Sequence, residues 1–168
     1  MRRAVIAGVL GLALTMLADE AAHGQPDLVR QCRQAVDARW PQWQPPAVDP
    51  AVRDWARSRN EDPIVALGDF DDDGTQDVAL LVRIAPSPRS MRIGVCLSSL
   101  GAAKPVVIDN PYCSDGITRV PKGSQYSLVE SNVEGTYPKD GIHAYCFEKA
   151  GATYIFSNGV FHMMVDSD

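Results

Sequence analysis

The run Gly68-Asp69-Phe70-Asp71-Asp72-Asp73-Gly74-Thr75-Gln76-Asp77 passes without a break into Val78-Ala79-Leu80-Leu81-Val82. The five aspartates repel one another and call for a counter-charge. The apolar run is too uniform for a half-exposed strand, so it predicts a central strand, Val78 to Ile84, covered on both faces. In the register that starts at Asp69, the carboxylates of Asp69, Asp71, Asp73 and Asp77 fall at positions 1, 3, 5 and 9, with Gly74 at 6 and the Thr75 carbonyl at 7. Alternate side chains of such a tightly coiled loop converge, the glycine permits the sharp turn, and water completes six or seven oxygen ligands. The pattern predicts a cage for a hard cation. Ca²⁺ suits it better than Mg²⁺, which demands rigid octahedral geometry and keeps its waters.

Position 12 of this register is Leu80 rather than the bidentate glutamate of an EF-hand, and a strand stands where the second EF-hand helix would be. The segment GDFDDDGTQDVALL, 68–81, instead resembles the calcium loop of FG-GAP and VCBS-type repeats, whose usual form is close to GDF-[ND]-G-DG-x-x-D-[LVY]-A. The resemblance implies a loop joining two strands, with calcium held by Asp69, Asp71, Asp73, Thr75 and Asp77. Asp72 departs from the family's common glycine, which is left-handed; aspartate tolerates that conformation better than most residues. A single copy is present, so no propeller of many repeats is implied. The resemblance points to small exported single-repeat proteins, which the ending with Cys146-Phe147-Glu148-Lys149 also resembles, and it transfers no activity.

The first residues read as an address. Arg2 and Arg3 precede an apolar stretch from Ala4 to Ala18, and Ala22-His23-Gly24 sets small residues before a cut at Gln25, so 1–24 is expected to be a signal peptide. The stretch is shorter than the roughly 20 residues of a membrane span, and no span is expected in the mature chain. Leu28-Val29-Arg30-Gln31 ahead of Cys32 lacks the small residues of a lipoprotein signal. A periplasmic or secreted product is expected. Its four cysteines, Cys32, Cys96, Cys113 and Cys146, then read as two disulfides, with no C-x-x-C for zinc or redox chemistry. Three connectivities are possible; the pairing expected here is Cys96 with Cys113 and Cys32 with Cys146.

The rest of the chain reads as α+β: N-terminal helices, 25–63, packed on a mainly antiparallel β-sheet meander, 64–168, in one domain. Leu28, Val29, Cys32, Val36 and Trp40 make one helical stripe; Asp49-Pro50 caps a second with Val52, Trp55 and Ala56. Besides Val78 to Ile84, strands are expected at Ile64 to Leu67, Met91 to Leu97, Val106 to Asp109, Tyr126 to Val129, His143 to Glu148, Thr153 to Ser157 and Val160 to Val165. Asn158-Gly159 signals a type I′ hairpin. Elsewhere in 110–142, glycine, proline and serine hide any element.

Catalytic signals are few. Beyond the expected cut only His143 and His162 remain as histidines, Ser124 lacks a nucleophile elbow, and His143 and Cys146 fall on opposite faces of a strand. Glu130 and Glu134 read as loop charges, and the aromatics mostly as core filling, with Tyr112 and Tyr137, in expected loops, the first candidates for exposure. A net charge of -5 gives no footprint for nucleic acid, and the five loop aspartates equal it. The expected function is that of an exported, non-catalytic calcium-binding protein in which calcium is structural, with an unknown protein or an envelope component as partner. An inhibitor or immunity-type protein acting on a partner enzyme, and an exported hydrolase with its site dispersed in sequence, are the alternatives.

Overall fold

The computed structural model describes residues 16–87, 90–101, 104–109, 111–129 and 133–165; for 16–26 it describes the backbone alone. Two helices precede the strands: α1 (Met16–Arg39) and α2 (Pro50–Ser58). The helical backbone of α1 thus begins ahead of the expected cut after Gly24, while most of the expected signal lies outside the described residues. In α2 the Asp49 side chain accepts from the Ala51 N–H at 2.8 Å and Pro50 takes the first turn, where its missing N–H costs nothing.

The strands are β1 (Val65–Gly68), β2 (Asp77–Arg83), β3 (Met91–Cys96), β4 (Val106–Asp109), β5 (Gly116–Val120), β6 (Gln125–Ser127), β7 (Glu134–Thr136), β8 (Gly141–Cys146), β9 (Ala150–Ser157) and β10 (Val160–Met164). All pairings among them are antiparallel. The single expected meander is in fact divided: β1-β2-β3-β4 form one sheet, β10-β9-β8-β5 a second, and β6-β7 a hairpin. Asn158 and Gly159 both have positive φ, 52° and 83°, and join β9 to β10 as the type I′ signal requires.

Strand β2 is buried from Asp77 through Val82, and its alternation serves two cores. Val78, Leu80 and Val82 pack with Cys32, Ala35 and Val36 of α1, whereas Ala79 and Leu81 join Ile93 and Val95 of β3 against Ile117, Ile142, Ala144 and Tyr154 of the second sheet. The order is helix, sheet, sheet, and the doubly apolar strand is the middle of it. On β8 the alternate residues His143 and Tyr145 face away from that inner core, and Trp55 of α2 meets Tyr145 there with ring centroids 5.1 Å apart.

The disulfides are Cys32–Cys96 and Cys113–Cys146, correcting the expected pairing. Because α1 lies on β2 and β3, its Cys32 comes over the end of β3. Because β5 runs antiparallel to β8, the chain entering β5 lies beside the chain leaving β8, which brings Cys113 to Cys146.

Strands β5 and β7 were hidden by glycines, and each glycine makes room for an aromatic on the neighbouring strand. Gly116 pairs with Tyr145, and a Cβ added at Gly116 would stand 2.3 Å from the Tyr145 hydroxyl; Gly135 pairs with Tyr126, with the corresponding distance 2.6 Å. The ring covers the bare backbone and replaces the packing glycine lacks. Gly116→Ala is therefore expected to destabilise the protein by about 1–3 kcal/mol by overpacking, measured by urea denaturation. A loss within experimental error would show that the Tyr145 ring yields without cost.

Candidate functional site

The acidic loop joins β1 to β2 across the edge where Gly68 pairs with Asp77. Its backbone is wound by its own carboxylates. Asp69 accepts from the N–H groups of Asp73 and Gly74, both at 2.9 Å, and Asp73 Oδ1 accepts from the Thr75 N–H at 2.8 Å. Asp72 has φ 67° and Gly74 φ 84°, so the chain turns left-handed at both. Gly74 meets no obstacle there, and Asp72 is among the residue types that bear such a φ best.

Oxygens of Asp69, Asp71 and Asp77 lie within 4.8 Å of one another, close enough for one ion to touch all three. Of the five residues expected to hold calcium, these three converge. Asp73 is turned aside to Thr75 and to the Ser98 hydroxyl, 2.8 Å from its Oδ2, and Thr75 takes part in the loop's hydrogen bonding through its N–H. The Ser98 bond holds the Asp73 carboxyl below the usual carboxylate range.

Asp77 is the buried member, 1% exposed. Its oxygens accept from the Phe70 N–H at 2.8 Å and the Ser98 N–H at 2.7 Å, yet burial outweighs both and pushes its pKa up. The ionised form is thus held at a cost near neutral pH, and a cation touching it would offset that cost.

Several partners of the loop come from distant chain and were missed from sequence. Ser98 and Ser99, in a short 3₁₀ turn after β3, bond Asp73, Asp77 and Asp71. Lys122 reaches Asp72 at 2.8 Å, lowering that carboxyl's pKa, and Lys139 donates to the Asp71 carbonyl at 3.1 Å. Asp140, 6% exposed, clamps the loop to the second sheet. Its Oδ2 accepts from the Asp69 N–H at 2.9 Å and lies 2.8 Å from Arg119 Nε; its Oδ1 accepts from the Lys122 N–H at 2.9 Å and Arg119 Nη2 at 3.2 Å. No spacing rule connects Asp140 with Asp69, 71 residues apart.

Other candidates fare differently. Of the two candidates for exposure, Tyr112 is exposed, at 53%, whereas Tyr137 is buried at 2%, its ring 5.1 Å from that of Tyr126. His143 Nδ1 meets Thr153 Oγ1 at 3.0 Å, His162 lies exposed on β10, and Cys146 is oxidised in its disulfide. Glu134 is exposed on β7, and Glu130 lies outside the described residues. No helix of the described residues is long and apolar enough to cross a membrane. No family model, no curated protein and no solved structure matches the chain.

Proposed function

We propose that this is an exported calcium-binding protein of the FG-GAP/VCBS-like single-repeat kind, in which one Ca²⁺ seats in the 69–77 loop and stabilises the fold rather than taking part in a reaction. The observation that carries the reading is the convergence of Asp69, Asp71 and the buried Asp77 on one point, with oxygen the only donor. Hard, charged oxygens in a flexible turn are the ligand set of calcium. Binding neutralises the repulsion among the carboxylates and fixes the entry of β2. Asp73, if released from Ser98, and the Thr75 carbonyl would be the further protein oxygens available to the ion.

Export is supported by the two disulfides, which persist in oxidising compartments, and by Pro26. Cleavage after Gly24 would place Pro26 in the first turn of α1, where proline is tolerated, rather than in the helix interior, where it breaks a hydrogen bond. The periplasm or the cell exterior is the working location, an unidentified protein or envelope component the partner, and calcium there is abundant enough to fill even a site with Kd of roughly 10⁻⁴ to 10⁻³ M.

Calorimetric titration of the chelator-treated mature chain with CaCl₂ tests the reading. One site in that affinity range is expected, abolished by Asp71→Ala and weakened at least tenfold by Asp73→Ala. No heat from the folded wild type would refute it.

A further inference from the structure

Two lysines reach the acidic loop from the chain that links β5 to β8, and both stand at the base of one hairpin. That chain closes on itself where the Gly123 N–H donates to the Tyr137 carbonyl at 2.8 Å and the Tyr137 N–H to the Ser124 carbonyl at 2.9 Å. Lys122 lies just before the closure and Lys139 just after it, so β6 and β7 depart from and return to the side of the loop. Lys122 Nζ is 2.8 Å from Asp72 Oδ1, and Lys139 Nζ donates to the Asp71 carbonyl oxygen at 3.1 Å.

The atoms they choose matter. Asp72 is the one loop aspartate outside the 1, 3, 5, 9 register, and on Asp71 the lysine takes the main-chain oxygen. Neither contact uses the convergent carboxylates of Asp69, Asp71 and Asp77, so the lysines leave the centre of the loop open. Both ammonium groups still act on its charge. With calcium–oxygen contacts of about 2.4 Å, a lysine bonded to the Asp71 carbonyl stands within roughly 10 Å of an ion on the Asp71 carboxylate. Lys122 feels the centre as well: its pKa is raised, first by the Asp72 hydrogen bond and, among the charges, by Asp69. At such a separation in water a unit positive charge lowers the affinity for a divalent cation about two- to fivefold, an effect that salt screens.

We propose that Lys122 and Lys139 are internal counter-ions that compete with calcium for the charge of the acidic loop, offsetting its carboxylates when the ion is absent and weakening its binding when it is present. The inference rests on the calcium reading above and adds what sets the affinity. Binding is reciprocal, so calcium loosens the lysine contacts by the factor by which they weaken calcium. The base of the β6-β7 hairpin is thus held in part by charge that the ion cancels, while the Asp140 clamp on the Asp69 N–H is retained. The lysines move the site towards weak binding, which suits a compartment where calcium is plentiful.

Calorimetric titration of the mature chain with CaCl₂, at about 0.01 M and about 0.5 M KCl, tests this with Lys122→Gln, Lys139→Gln, the double variant and Lys122→Arg beside the wild type. At low salt each glutamine variant is expected to bind calcium about two- to fivefold tighter than wild type, and the double variant about tenfold tighter. The gain should fall below about twofold at high salt, and Lys122→Arg, which keeps the charge, should bind as wild type does. The proposal is overturned if the wild type binds calcium and the double variant binds no tighter. It is also overturned if the gain persists in high salt or appears equally in Lys122→Arg, either of which would assign it to packing of the loop rather than to charge. A wild type that binds no calcium would refute the calcium reading and this inference with it, so the wild-type titration separates the two failures.

Discussion

Replacing Cys32 and Cys96 together with alanine will destabilise the protein by about 4 kcal/mol, the largest loss expected from any single link in it. The bond closes a loop with a sequence separation of 64, against 33 for Cys113–Cys146, so its removal releases the greater chain entropy to the unfolded state. It also fastens α1 to β3 beside Val36, Val78 and Leu80, which otherwise hold the helix by apolar contact. Domains of this size have about 5–15 kcal/mol in total, so the double variant should lose between about a quarter and four-fifths of its stability in urea unfolding under non-reducing conditions. A loss below about 1 kcal/mol would show that the α1 contacts alone define the unfolded-to-folded difference.

Asp140→Ala is expected to cost about 3–5 kcal/mol, the second largest effect, although Asp140 carries no ligand role. Each of its oxygens faces two donors, so the substitution leaves the N–H groups of Asp69 and Lys122 and the Arg119 guanidinium without an acceptor. Arg119 is half exposed and water will recover part of its share, which keeps the figure at the lower end. Asp140→Asn should be nearly as harmful, because an amide presents N–H groups to two of those donors. Denaturation of both variants decides the matter: if asparagine restores most of wild-type stability, the clamp does not depend on a fully accepting carboxylate. Since the Asp69 N–H is one of the donors, both variants should also weaken calcium.

How far the sequence reached depended on whether a signal was local. The apolar run of β2, the Asp49-Pro50 cap of α2 and the Asn158-Gly159 turn are each written within a dozen residues and lie where the pattern put them, and of the aspartate register Asp69, Asp71 and Asp77 come together. The division into two sheets was not legible, because it depends on β5 passing over β6 and β7 to pair with β8. Strands β5 and β7 read as loop because Gly116 and Gly135 are weak strand formers until Tyr145 and Tyr126 cover them. The disulfide pairing followed the same topology and was missed for the same reason. At the acidic loop the clustering aspartates were legible, while Ser98, Lys122 and Asp140 were not, since a serine in a turn and a Lys-Asp-Gly sequence look the same whether or not they hold a distant loop.

The burial of Asp77 gives the loop and the fold a shared dependence. Its carboxylate accepts from Phe70, whose ring is fully buried between the sheets, and from Ser98 at the end of β3, so any charge imbalance there bears on both. Lys122 and Lys139 approach from outside and meet Asp72 and the Asp71 carbonyl, leaving the inner oxygens of Asp69, Asp71 and Asp77 facing one another. The proposed divalent ion at that point would complete the charge balance from within.

Thermal melting of the wild-type mature chain in calcium and in chelator tests this most directly. At about ten times Kd, calcium should add about 1.4 kcal/mol, which for a chain of this size raises Tm by roughly 3–6 °C, with full reversal by EDTA and no response in Asp71→Ala. Superimposable melting curves for the wild type in calcium and in EDTA would contradict a calcium site in the 69–77 loop.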